Sequence, residues 1–217
     1  SPNYHFMVAR LKAITSKNPA ETLEYFNDSV ERFEGIKNLS ARYGRAITLR
    51  RLNKFQEARG EVEELILKNP ALINLYIELS NIDRDKGSYL RSLETINLAY
   101  GKDPANLAVA YSLIETLMIL KLPSEAKKII GEFDIDVKYG PKFHKTLADI
   151  EFSLGNAELS NMSMAEYFFE LGDLGGAIAQ LRIATTSGNL SNYHRLKATA
   201  RLKQLERELA ARMDGRK

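Results

Sequence analysis

An all-α superhelical solenoid is the fold class this sequence predicts, and three observations predict it. First, a 34-residue beat runs through the chain: Asn53, Gly87, Lys121 and Gly155 recur at that spacing, each between two helical patterns. Second, small residues keep the same spacing at Ala58, Ser92 and Ala126, as do the prolines Pro70 and Pro104. Third, apolar residues recur at helical rather than strand period throughout. No stretch reads as a strand, and no low-complexity linker divides the chain.

A 34-residue helix–turn–helix period is the signature of the tetratricopeptide repeat. Such repeats stack so that each contacts only its neighbours, and the stack exposes a curved surface suited to holding another protein. The 217 residues suffice for one continuous core.

Taken in order, residues 1–38 read as an N-terminal helical pair. Phe6, Val8, Leu11 and Ile14 form the apolar stripe of the first helix. Asn18 and Pro19 open the second, where proline at the first helical position sacrifices no hydrogen bond. Leu23, Phe26, Val30 and Phe33 are its stripe, and Gly35 is expected to end it. Residues 39–190 carry the repeats. Repeat one runs from Leu39 to Leu72, repeat two from Ile73 to Asn106, and repeat three from Leu107 to Gly140. Small residues such as Ala46 and Ala58 sit where paired helices cross closely, because a larger side chain would drive them apart. The turn glycines supply the positive φ of a helix C-cap.

The beat then halves near 141–172. Gly155 and Gly172 are 17 apart, as are Ala148 and Ala165. A helix from Ala157 to Glu170 is expected to serve two repeats, as second helix of one and first helix of the next. Residues 191–217 form a C-terminal capping helix, with Leu196, Leu202, Leu205 and Leu209 directed inward.

Composition narrows the function. With 44% hydrophobic and 27% charged residues, neither disorder nor a membrane protein is indicated. The net charge of +3 argues against a nucleic-acid partner, although the segment from Ser191 holds eight Lys/Arg against three Asp/Glu. The absence of cysteine removes thiol catalysis, disulfides and cysteine-based zinc sites. His5, His144 and His194 lack the spacing of metal ligands, and no H-E-x-x-H, G-x-S-x-G or P-loop occurs. No catalytic residue, metal site or cofactor is expected in this chain.

What remains is surface. In tetratricopeptide arrays, positions 2, 5, 9, 12 and 13 of each repeat face the concave side. The register places Tyr43, Ile47, Arg50 and Arg51 there in repeat one. Repeat two supplies Asn74, Ile77, Asn81 and Arg84, and repeat three Tyr111, Glu115 and Met118. Lys142, Lys145, Asp149 and Phe152 follow in the fourth unit. Tyrosine, arginine and apolar residues together suit a protein interface. The carboxylate clamp of chaperone-binding arrays is not expected: Asn81 is suitably placed, but Tyr43 and Ile47 stand where Lys and Asn are needed. Glu63 and Lys127 are expected on the outer face.

One segment is more particular than a generic repeat: AEYFFELGDLGGAIAQLRIA, residues 165–184, followed by RLKQL at 201–205. Upstream, YHFMVARL at 4–11 precedes ARYGRA at 41–46. In this order they resemble the C-terminal repeat domain of the BepA/YfgC-type periplasmic zinc metalloproteases, over essentially the whole chain. The resemblance implies a bacterial periplasmic protein acting in outer-membrane protein assembly and quality control. It implies protein partners: the protease domain itself, unfolded outer-membrane clients and the barrel assembly machinery. Membrane association would come only through those partners. Zinc and H-E-x-x-H would belong to a protease domain outside this sequence. The alternative is a free-standing adaptor or scaffold with no enzyme domain, such as a lipoprotein or secretion-system assembly factor. The sequence preceding Ser1 discriminates the two.

Overall fold

A computed structural model describes residues 2–133 and 140–214. The end of repeat three at 134–139 and the last three residues of the capping segment lie outside the described residues. Among the described residues there are twelve α-helices and no strand. The chain divides into two compact units, residues 1–120 and 121–217.

The first unit holds α1 (Pro2–Thr15), α2 (Pro19–Arg32), α3 (Gly35–Arg51), α4 (Phe55–Lys68), α5 (Ile73–Asp85), α6 (Tyr89–Lys102) and α7 (Leu107–Ile119). The second holds α8 (Pro123–Gly131), α9 (Pro141–Ser153), α10 (Ala157–Glu170), α11 (Leu174–Thr186) and α12 (Asn192–Asp214). Within each unit consecutive helices pack against one another, as a repeat solenoid requires.

The beat is visible in the backbone. Asn53, Gly87, Lys121, Gly155 and Gly172 all take positive φ, between 59° and 84°. In four of these turns the next amide reaches back five residues: Lys54 to Leu49, Ser88 to Asp83, Asn156 to Glu151 and Asp173 to Phe168, at 2.7–2.9 Å. This is the Schellman closure, which satisfies carbonyls that the helix end leaves open.

The small residues sit where the register places them. Ala46 with Ala58, Ser80 with Ser92, Ala148 with Ser160 and Ala165 with Ala177 are all buried. Two of these crossings also carry hydrogen bonds. Ser80 and Ser92 hydroxyls meet at 2.8 Å, and the Ser160 hydroxyl donates to the Ala148 carbonyl at 2.8 Å. Helix α10 spans the expected Ala157–Glu170 and packs on both α9 and α11, so it serves two pairs.

Three local expectations need correction. Gly35 does not end the second helix. That helix closes at Arg32, and Gly35, with φ +59°, begins α3. In α1 the buried face is Phe6, Ala9 and Ala13, while Val8, Leu11 and Ile14 are exposed. A close-lying helix needs alanines on its contact face, so the bulky residues turn outward. In α12 the buried face is Ala198 and Leu205, flanked by Leu202 and Leu209. Leu196, two residues from Ala198, points away and is 73% exposed. Helix α2 starts as expected, with the Asn18 side chain accepting from the Ala20 and Glu21 amides and Pro19 at its first turn.

Candidate partner-binding surfaces

In the first unit the predicted groove residues lie on α3, α5 and α7 and form a ladder of contacts between them. Arg50 on α3 donates to Glu78 of α5 at 2.7 Å and to Asp85 at 2.5 Å. Arg84 occupies the equivalent place one 34-residue period later. It reaches 28 residues ahead to the Ser112 carbonyl at 3.3 Å, as Arg50 reaches Glu78, and pairs with Glu115 at 3.0 Å. The nitrogen that faces Glu115, Nη2, also donates to the Asn81 side-chain oxygen at 2.6 Å. Arg50, Arg84, Asn81 and Glu115 are thus brought together along one face and partly spent on one another.

The remaining predicted residues divide by exposure. Tyr43 and Ile47 are core residues, and Tyr111 is buried on α7. Arg51 is turned to α1, donating to the carbonyls of Ala13 and of Ser16, the latter at 2.9 Å. Asn74 is exposed, and it borders a cavity of about 330 Å³ together with Ile77, Phe6, Met7, Arg10, Tyr43 and Ala108. Met118 is half-buried.

Two charged residues at this face were not anticipated. Glu78 is fully buried, and Arg10 of α1 approaches it to 3.6 Å. Burial pushes the Glu78 carboxyl above its ordinary value, against the opposing pull of Arg50 and Arg10. Burial also pushes the Tyr43 phenol up to about 12, with the Glu78 charge adding to the effect. The signal for Glu78 was present: an acid 28 residues after a groove arginine falls opposite it on the next first helix.

In the second unit an open groove of about 690 Å³ lies among α8, α9, α10, α11 and α12. Phe143, Leu147, Leu159, Met162, Leu181 and Ala198 line it with apolar surface. Its polar lining includes two ion pairs: Lys127 with Glu151 at 2.9 Å, and Arg201 with Glu166 at 2.8 Å. Arg201 also stacks over the Phe169 ring, 4.3 Å from its centroid. Lys197 is exposed at the edge. His144 and His194 both border the groove. Burial holds His144 below the ordinary histidine value, opposed by Glu166 and Glu170.

Of the fourth-unit residues predicted for the groove, Lys145 pairs with Asp149 at 2.5 Å one turn away. Phe152 is 72% exposed, and Lys142 is exposed as well. None of these four borders the 690 Å³ groove. That groove draws instead on α10, read from the sequence as shared by two repeats, and on α12, read as a cap; neither supplied a predicted groove residue. Lys127, expected on the outer face, is paired with the buried Glu151. The same relation holds two periods earlier between Arg59 and the buried Asp83, so it is a recurring link from a second helix to the next first helix.

Among the described residues no cluster of three or more His, Asp or Glu is arranged to hold a metal ion. No described helix is long and apolar enough to cross a membrane.

No family model matches the sequence. The fold is similar to a thermophilic tetratricopeptide-repeat protein of Thermus thermophilus, with a TM-score of 0.56 at 15% identity, covering 94% of this chain and 98% of that one. The chain has the tetratricopeptide-repeat fold. Its sequence is similar to the beta-barrel assembly-enhancing protease of Escherichia coli K12, at 29% identity over 168 residues, 76% of this chain and 34% of the relative. The same-named protein of Yersinia pestis is 21% identical over 207 residues, 95% of this chain and 43% of that protein. This repeat domain therefore resembles those proteases over most of its own length while spanning less than half of theirs.

Proposed function

We propose that this tetratricopeptide-repeat domain is a protein-binding module that works beside a zinc metalloprotease in the periplasm, in the assembly and quality control of outer-membrane β-barrel proteins. The observation that carries the reading is the 29% identity over 76% of the chain to beta-barrel assembly-enhancing protease. The open groove of the second unit supports it. Apolar residues supply area to bury, and polar groups at the edge give orientation and specificity. Its partners are then the protease domain, unfolded outer-membrane clients and the barrel assembly machinery. This chain contributes binding, and zinc belongs to the protease domain.

The test is site-specific photo-crosslinking. A photoreactive amino acid at Met162 or Lys197 should crosslink to an unfolded outer-membrane β-barrel protein or to the purified assembly machinery. The same probe at Glu125, on the exposed face of α8, should not. Equal yields from groove and outer positions would remove the groove from the account.

A further inference from the structure

Helix α1 departs from the pattern of the other first helices. It packs extensively along α3 and touches its own partner α2 at few points. It is held on the face of α3 and α5 that carries the predicted groove residues. Near its start Phe6 meets Tyr43 edge-on, with ring centroids 5.3 Å apart. In its middle Arg10 lies 3.6 Å from Glu78 and 3.4 Å from the Tyr43 hydroxyl. At its end Arg51 donates to the carbonyls of Ala13 and Ser16, as a cation does at a helix C-terminus. Ala9 and Ala13 allow the close approach.

The fit is incomplete in two respects. The second carboxylate oxygen of Glu78, in a fully buried side chain, accepts no hydrogen bond. Such a group forfeits the hydration it would have in water, and a closer cation would restore a partner. A cavity of about 330 Å³ also stays open between α1 and the groove wall, bordered by Phe6, Arg10, Tyr43, Asn74 and Ile77. Native cores leave few of either.

We propose that this face of the first unit is a receptor for an amphipathic helix, and that α1 is its displaceable in-chain occupant. The recognised pattern is the one α1 presents: an aromatic residue, a small residue three positions on, a cation directly after it, and a second small residue three further on. The aromatic ring meets Tyr43 edge-on, the cation answers Glu78, and Arg51 caps the helix end. A partner helix with a longer reach toward Glu78 and more bulk over Asn74 and Ile77 would displace α1. This is the helix-in-groove mode of recognition. It rests on the reading of the chain as a protein-binding module only for the class of ligand.

The chain has no cysteine, so one introduced thiol reports on α1 alone. Ala13→Cys and Ala58→Cys place thiols at two positions of 0% exposure, in α1 and in α4. Under native conditions the thiol at position 13 should react with Ellman's reagent at least tenfold faster than that at position 58. Equal rates would mean that α1 is fixed core and would overturn the proposal. A second measurement uses a fluorescent peptide of residues 2–17 added to the full chain. It should bind at least tenfold more tightly to the Phe6→Ala/Arg10→Ala chain, whose own α1 is loosened, than to the unaltered chain. A peptide carrying Arg10→Glu should not bind. Equal affinity for both chains, or binding that ignores the peptide's charge, would also overturn it. Neither result touches the crosslinking test of the second unit, so the two readings fail separately.

Discussion

Glu78 shows how one residue links the groove to folding. Its carboxylate is enclosed among Arg50, Arg10 and Tyr43, and burial raises its proton affinity despite the two cations. A folded-state pKa above the ordinary 4.5 means that the folded chain binds the proton more tightly than the unfolded chain. The contribution is therefore fully present below 4.5 and is lost as pH rises through the folded value. Comparing urea midpoints of the natural chain and Glu78→Gln from pH 7 down to 4.5 should show the natural chain gaining on the variant as pH falls. A constant difference would show that Glu78 does not titrate across this range. At this scale the sequence was half legible. Arg50 and Arg84, placed on one face by the register, each reach from one first helix to the next. Glu78 and Asp85, the acids that Arg50 meets, were missed because a residue counted within one repeat conceals the contact it makes with the next. Tyr43 and Ile47 were assigned by position alone, which takes no account of a helix lying over them.

At the scale of elements, turns were more legible than helix faces, for a physical reason. A turn is fixed by one backbone demand, a positive φ, and that demand repeats every 34 residues with visible side chains. A face is fixed by what packs on it. In α1 and α12 the bulky residues suggested one stripe, but alanines mark the close contacts. The turn rule yields its own prediction. Gly87, Gly155 and Gly172 accept positive φ freely, and asparagine tolerates it at Asn53. Lys121 takes φ 60° with a full side chain. The left-handed region costs an ordinary L-residue roughly 1–2 kcal/mol, partly offset by the extra unfolded-chain entropy of glycine. Lys121→Gly should therefore raise stability by about 0.5–1 kcal/mol, a rise of roughly 1–4 °C in melting temperature for a chain of this size. A lower melting temperature would mean that the Lys121 side chain contributes more than its backbone costs.

For the whole molecule, the all-α repeat class and the bounds of α10 were legible because each depends on spacing alone. The division into units at residue 120 and the groove built from α10 and α12 were not, since both arise from which helices pack together. His144 and His194 border one groove with Glu151 and Glu166, yet both acids are engaged by Lys127 and Arg201, and no described cluster suits a metal ion. An ion that bound the folded chain would stabilise it by mass action, by about 2.7 kcal/mol at a hundredfold excess over its Kd. For this size that is a rise of roughly 5–10 °C. The purified chain should instead keep its melting temperature when zinc is added and should leave casein uncut. A zinc-induced rise that a chelator reverses would reveal a site in the groove after all. Chelator-sensitive cleavage of casein would make the chain an enzyme and overturn the proposed division of labour.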